Sequence, residues 1–141
     1  MSTVIVAQRL VASDSAQRAH FSTRWPQPKT AVVSVHGELD AANAPEFADY
    51  ALGYVARSQK LVLDLNAVEF FGATCFATLH TLNVRCAGEG IYWALTPGKA
   101  VSRVLRICDP DGALPTSPSV AAALTMLQTE PRPLQLVTER R

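Results

Sequence analysis

Hydrophobic and polar residues follow two different periods along the middle of the chain. The stretch from Ala19 to Trp25 alternates with a period of two and then meets Pro26-Gln27-Pro28, which predicts a strand that ends in a turn. The β-branched run at 31–35 predicts its antiparallel partner, and further short apolar runs predict buried strands. The predicted strands are 19–25, 31–35, 61–65, 91–95 and a short edge strand at 114–116.

Apolar residues spaced three or four apart predict four helices. Asn43 is placed to cap the first helix, because Pro45 and Glu46 follow it in the first turn. Ser117 is the predicted cap of the last helix, with Pro118 at its first position. The four apolar stripes are Phe47, Ala51, Tyr54 and Val55; then, from about Thr74, Cys75, Leu79, Leu82 and Cys86; then Val101, Val104, Leu105 and Cys108; and finally Val120, Ala123, Leu124 and Leu127.

The order of these elements predicts an α/β fold with a single domain. Strands that alternate with helices require right-handed crossovers and a mostly parallel sheet, and the leading hairpin makes the sheet mixed. We therefore expect four to five strands and about four helices over residues 18–129. Residues 1–17 and 130–141 carry no periodic apolar face and are predicted to be flexible tails.

Composition and charge narrow the class of protein. A net charge of +1 gives no electrostatic reason to expect nucleic acid binding. No apolar run approaches the roughly 18 residues that span a bilayer, and no secretory signal is evident, so we expect a cytoplasmic protein without a membrane partner. The three cysteines lack the CxxC spacing of a metal or redox site, and the histidines lack ligand spacing, so no metal or cofactor is expected. No catalytic motif is present, and the chain is not expected to be an enzyme.

Two segments carry a family resemblance. The first is VSVHGELD at 33–40, followed by Ala44-Pro45, and the second is LVLDLNAVEFFGATC at 61–75. Together with the order of the elements, they resemble the STAS domain of bacterial anti-sigma-factor antagonists over roughly residues 19–129.

This resemblance implies a phosphorylation-controlled protein-binding switch. In the family, the antagonist sequesters an anti-sigma factor and thereby frees a sigma factor for transcription. That anti-sigma factor is a serine/threonine kinase of the histidine-kinase-like ATPase type, and it phosphorylates its own antagonist. A serine/threonine phosphatase reverses the step. The resemblance implies the same partners here, for a chain that we expect to be a monomer or a weak dimer.

The family motif places candidate site residues at two positions of the chain. Thr74 matches the phosphoacceptor, and Asp40 matches the aspartate that ends the second strand. Gly72, Ala73 and Cys75 stand where the family has Asp, Ser and Gly, and the resemblance places them in the partner-binding surface. Thr74 could instead be a plain helix cap and Asp40 a turn residue, since both residue types favour those positions.

Two other features leave alternatives open. Lys99, Arg103 and Arg106 form a basic stripe on the third helix, which is either a solvated face or part of the docking surface. Asp64 lies in a predicted buried strand and is interpreted as structural, because the chain lacks the other residues of a receiver domain. At the level of function, the alternatives are an unswitched antagonist that is not phosphorylated at Thr74 and a STAS-type sensor of a nucleotide or lipid.

Overall fold

A computed structural model of the chain describes residues 18–129. The predictions of tails at 1–17 and 130–141 lie outside the described residues. Four strands form one sheet in the order β1-β2-β3-β4, with β1 antiparallel to β2 and the remaining pairs parallel. The strands are β1 (Ala19–Gln27), β2 (Thr30–Leu39), β3 (Lys60–Phe71) and β4 (Tyr92–Thr96). The predicted mixed, mostly parallel sheet is therefore confirmed, and a single bridge from Leu95 to Thr116 marks the predicted edge segment.

In the described part of the chain, four α-helices and a short 3₁₀ turn connect and follow the strands. They are α1 (Ala44–Gly53), the 3₁₀ turn Ala73–Cys75, α2 (Phe76–Glu89), α3 (Gly98–Cys108) and α4 (Val120–Thr129). The apolar faces of α1, α2 and α3 pack in one large core with alternate residues of the strands, such as Val33, Val35 and Leu63. Of the helices within residues 18–129, α4 is the one on the opposite face of the sheet, where Ala123 and Leu127 cover Val32, Val62 and Ala94.

The strand β3 is much longer than predicted, because its second half does not keep a period of two. Leu65, Val68 and Phe71 are buried with two exposed residues between each pair. The register against β2 shifts between Ser34 and His36 and again between Gly37 and Glu38, and each shift gives β3 one extra residue. Such bulges break the alternation while the strand continues. The prediction that this strand ends at residue 65 was therefore wrong.

Two helix starts also differ from the prediction. The last helix is capped by Ser119, whose Oγ accepts a hydrogen bond from the Ala122 N–H at 3.0 Å, and not by Ser117. The predicted cap fails because Ser117 already bonds to Leu95 through its backbone N–H and is held beside the edge strand. The second helix opens with the 3₁₀ turn, so that its α-helical part begins only at Phe76.

Candidate functional site

The carboxyl ends of β2 and β3 lie side by side and bring the two family segments together. Leu39 is in register with Phe71, and the Gly72 N–H donates to the Leu39 carbonyl at 2.8 Å. A Cβ added to Gly72 would lie 3.4 Å from the Asp40 Cα. Asp40 and the segment that opens the second helix, far apart in the chain, are therefore direct neighbours at one edge of the sheet.

The loop after β2 is held by polar contacts around Asp40. One oxygen of its carboxylate accepts the Ala42 N–H at 2.9 Å, and its backbone N–H donates to Asn43 Oδ1 at 2.9 Å. Asn43 also donates from its amide to the Glu38 carbonyl at 3.0 Å. Asn43 does stand at the cap position of α1, but its side chain makes no bond into the helix and braces this loop instead. The turn role that was considered for Asp40 is therefore present.

Arg18 fixes the Asp40 carboxylate from the other side. Its guanidinium donates to Asp40 Oδ2, and its Nε lies 3.9 Å from Glu38 Oε1. The hydrogen bond from Arg18 is the largest influence on Asp40 and lowers the pKa of its carboxyl below the usual value. Sequence reasoning missed Arg18, although the predicted antiparallel pair already places the residue before the first strand opposite the end of the second strand.

Thr74 lies in the 3₁₀ turn with its side chain exposed, and Ala73 beside it is also exposed. The interpretation of Thr74 as the helix cap is wrong. Gly72 flanks the 3₁₀ turn, Cys75 flanks the α-helix, and no side chain caps either end. The N–H groups of the two residues that follow Thr74 are already bonded, Cys75 to the Gly72 carbonyl at 2.9 Å and Phe76 to the Ala73 carbonyl, so the exposed Thr74 hydroxyl is not needed to cap them.

Cys75 differs from its neighbours because it is buried. Its thiol donates to the Asp40 carbonyl at 3.6 Å, and burial raises the pKa of the thiol to about 11. Cys86 is also buried, and burial raises its pKa to about 12. The sequence analysis placed both cysteines on the apolar stripe of the second helix, and their burial confirms that they pack in the core. The buried side chain of Cys75 therefore contacts the loop that carries Asp40 from the core side, and it is not exposed at the surface.

Phe70 is an exposed aromatic residue that the sequence reasoning did not single out. Its side chain is 53% exposed, although it is one of the large apolar residues of the chain. A Cβ on Gly72 would lie 3.6 Å from the edge of its ring. The pair Phe70-Phe71 at the end of a strand was a usable signal, since neighbouring strand residues point to opposite faces. We refer to Asp40, Phe70, Gly72, Ala73 and Thr74 as the strand-end surface.

The basic stripe of α3 lies in a different place. Its three cationic side chains are exposed and line an open cavity of about 570 Å³ at the start of the helix, which we call the basic groove. No residue of the strand-end surface lines this groove. The structure thus divides the predicted site residues between two surfaces. The polar side chains that line the basic groove are Asn66, Lys99, Ser102, Arg103, Arg106 and Ser117.

Comparison with known proteins identifies the family. The model of the STAS domain matches residues 26–123 of the chain. The chain belongs to the STAS domain family. The anti-sigma-F factor antagonist RsfA of Mycobacterium tuberculosis is 30% identical over 98 residues, which cover 67% of this chain and 77% of that protein. Osmosensory protein A of the same species is 31% identical over 70 residues, which cover 50% of this chain and only 44% of that protein.

Solved structures agree with this assignment of the STAS fold. An anti-sigma factor antagonist from Mycobacterium paratuberculosis superposes with a TM-score of 0.67 at 25% identity, over 84% of this chain and 99% of that one. The unphosphorylated anti-sigma factor antagonist SpoIIAA superposes with a TM-score of 0.64 at 10% identity, over 79% of this chain and 98% of that one. The latter likeness shows the fold alone. Among residues 18–129, no helix has the length and hydropathy needed to cross a bilayer.

Proposed function

We propose that this STAS domain is an anti-sigma-factor antagonist, which binds an anti-sigma factor and so releases a sigma factor for transcription. The observation that carries the proposal is the strand-end surface, which presents the residue at the family phosphoacceptor position, Thr74, exposed beside Asp40. The similar proteins RsfA and the one from Mycobacterium paratuberculosis are anti-sigma factor antagonists, which supports the proposal.

The strand-end surface has the make-up of a small protein-docking site. Phe70 offers an exposed aromatic ring, and aromatic residues are enriched among the side chains that dominate binding energy. Ala73 and Thr74 are small and exposed, so a partner can approach the backbone closely. Asp40 adds a carboxylate in a fixed orientation, because Arg18 and the Ala42 N–H hold its two oxygens, and the Arg18 guanidinium compensates its charge. In this proposal Cys75 acts from beneath by holding Asp40, and it does not contact the partner.

Phosphorylation of Thr74 would switch this surface off. The phosphate would stand on an exposed residue at the start of a helix, where the helix dipole favours an anion, so the domain itself would tolerate the modification. A partner fitted to the small hydroxyl would instead meet a charge of about −1.5 to −2 beside Asp40. A penalty of about 3 kcal/mol at the interface weakens binding roughly a hundredfold.

Gly72 bears on the alternative that this antagonist is never phosphorylated and therefore unswitched. The backbone of Gly72 has φ −76 and ψ 150, which any residue adopts, and an added Cβ would make only ordinary contacts. The absence of the family carboxylate at Gly72 is therefore not forced by space. If the kinase needs that carboxylate, this domain stays permanently able to bind, and Gly72→Asp would create a phosphorylatable protein.

The rest of the proposal concerns the setting of the switch. We propose a binding protein without catalytic activity, located in the cytoplasm, whose partners are a kinase-type anti-sigma factor and a serine/threonine phosphatase. The contribution of Lys99, Arg103 and Arg106 to the same protein interface remains a prediction, because they line the separate basic groove.

The test uses purified full-length protein and kinase-type anti-sigma factors from the same organism. Binding is measured by isothermal titration calorimetry, and phosphorylation is measured by intact mass after incubation with ATP. We expect one phosphate on the wild type, none on Thr74→Ala with binding retained, and binding about a hundredfold weaker for Thr74→Glu. The variant Ser22→Glu, which adds the same charge on the exposed part of β1, is the matched control and should bind normally.

The outcomes separate the alternatives. A phosphate mapped to another residue would refute the assignment of Thr74. No phosphate, with tight binding retained, would favour the unswitched antagonist. Failure of every such partner to bind either the wild type or Thr74→Ala would refute the proposed function as a whole.

A further inference from the structure

Two of the three histidines form a pair on the hairpin of β1 and β2. His20 and His36 are directly opposite each other in the antiparallel register. Both side chains are exposed, and the centres of their rings lie 5.1 Å apart at an interplanar angle of 34°. Their neighbours Phe21 and Val35 belong to the large core, so the two histidines point to the other face of the sheet. The 16 residues between them in the chain gave no ligand spacing, and it is the hairpin that brings the imidazoles together.

The backbone holds this pair in a regular part of the sheet. The flanking pairs, Ala19 with Gly37 and Phe21 with Val35, continue the ladder between β1 and β2 without a shift. Opposite residues of an antiparallel pair have Cβ atoms about 4.5–5.5 Å apart, so side-chain rotation alone can aim both rings at one point. Among residues 18–129, neither ring makes a hydrogen bond, and the ring nitrogens are therefore open to a ligand.

The distance between the rings matches that of two imidazoles bound to one metal ion. With metal–nitrogen bonds of about 2.1 Å and a tetrahedral angle between them, the centres of two such rings lie about 5 Å apart. Imidazole nitrogen is a preferred ligand of Zn²⁺, Ni²⁺ and Cu²⁺, whereas Mg²⁺ and Ca²⁺ prefer oxygen. The chemistry of the pair therefore favours a transition metal ion over the hard divalent cations.

The surroundings of the pair leave the other coordination positions of such an ion open. Ser22 and Ser34 form a neighbouring pair on the same face, and their small side chains leave room for an ion with its water molecules. Glu38, two residues beyond His36, adds a carboxylate to this face, although Arg18 lies 3.9 Å from it. Within residues 18–129, no three side chains of His, Cys, Asp or Glu are grouped closely enough to hold a metal ion. The pair would therefore supply two ligands, and water would complete the shell.

We propose that His20 and His36 form a binding site for a divalent transition metal ion, of which Zn²⁺, Ni²⁺ and Cu²⁺ fit the donor set. The bound ion would crosslink β1 to β2 next to the pair of Ala19 with Gly37. An ion that binds only the folded state stabilises it, by an amount that grows with the free ion concentration. Neither histidine belongs to the strand-end surface, so the site adds to the proposed antagonist function and does not depend on it.

The experiment uses full-length protein without an affinity tag, freed of metal by dialysis against a chelator. Calorimetric titration with Zn²⁺, Ni²⁺ and Cu²⁺ should show saturable binding, tightest for Cu²⁺ and undisturbed by excess Mg²⁺. Loss of either ligand removes the chelate, so His20→Gln and His36→Gln should each weaken binding about tenfold or more. The same ions should raise the midpoint of thermal unfolding of the wild type and of neither variant, and EDTA should reverse the increase.

Two control variants show whether the ion binds at the pair. His80→Gln removes the third histidine, which is exposed on α2, and Cys108→Ser removes the exposed thiol. Both should bind the ions as the wild type does, and thermal melting without metal checks that all variants remain folded. Absence of saturable binding would overturn the proposal. Equal weakening by His80→Gln, or binding that survives both substitutions of the pair and disappears in Cys108→Ser, would overturn it as well.

Discussion

Replacing Gly37 with alanine tests whether the junction of β1 and β2 positions the strand-end surface. Gly37 has φ +107, and an added Cβ would lie 2.0 Å from the Arg18 carbonyl oxygen and 3.0 Å from the Ala19 Cα. Both contacts are with backbone, so no side-chain rotation can relieve them. The start of β1 must move away from β2, and Arg18, which binds the Asp40 carboxylate, must move with it.

The expected loss of stability has two parts. The left-handed backbone alone costs an alanine about 1–2 kcal/mol. Separation of the strands by about 1 Å or more breaks one or two backbone hydrogen bonds, each worth about 0.5–1.5 kcal/mol, and loosens the packing of Ala19. We therefore expect Gly37→Ala to lower the free energy of unfolding by about 1.5–5 kcal/mol, against a total of about 5–15 kcal/mol for a domain of ordinary stability.

The matched control is Gly90→Ala. Gly90 ends α2 with φ +70, but an added Cβ would meet no atom within 4 Å, so this variant measures the backbone cost alone. Urea denaturation followed by circular dichroism gives both free energies of unfolding. Anti-sigma-factor binding should weaken in Gly37→Ala and stay normal in Gly90→Ala. Equal destabilisation of the two variants would refute the argument, because it would show that the close approach of Arg18 does not matter.

Three further predictions follow from the contacts described above. The hydrogen bond from Arg18 lowers the pKa of Asp40, so the ionised Asp40 contributes stability above its unfolded pKa, and this stability is lost as the pH falls through the folded pKa. Arg18→Gln should therefore flatten the loss of stability between about pH 5 and pH 2. An NMR titration of Asp40 that is unchanged in the variant would contradict this. Ser119→Ala should cost about 1 kcal/mol of unfolding free energy in urea, and a loss below about 0.3 kcal/mol would show that the cap is dispensable. A thiol reagent at pH 8 should label only Cys108 in the native protein, because the other two cysteines are buried; three equally fast reactions by mass spectrometry would contradict the packing.

The order of strands and helices could be predicted because each element has its own local period. The hairpin, the central strand at 61–65 and the four helices appear in the structure close to their expected places, but Tyr54 and Val55 lie beyond the end of α1 and Cys108 of the third stripe is exposed. The second half of β3 could not be predicted, because its bulges depend on the register against β2. The cap of α4 failed for a similar reason, since the bridge to β4 withdraws Ser117 and leaves Ser119 to cap.

The candidate site, like the fold, was predictable from the sequence only in part. The family motif located Asp40 and Thr74, and parallel pairing of β2 with β3 brings them together. The contact of Arg18 with Asp40 joins residues 22 apart through the antiparallel hairpin, and the predicted hairpin indicated their proximity but not their ion pair. The helical spacing of the basic residues predicted that they form a stripe on α3. The cavity that they line also includes Asn66 of β3, which lies next to them only because α3 packs against β3.

The unequal covering of the two sheet faces has a consequence for how this domain opens. Within residues 18–129, three helices share a continuous core on one face, whereas on the other face α4 packs on Val32, Val62 and Ala94 through its own buried Ala123 and Leu127. Elements with few buried contacts exchange their amide hydrogens through local opening, at free energies well below that of global unfolding. The amides of α4 should therefore form the least protected cooperative unit among the helices, and its detachment would uncover an apolar strip along Val32, Val62 and Ala94 while the strand-end surface stays intact.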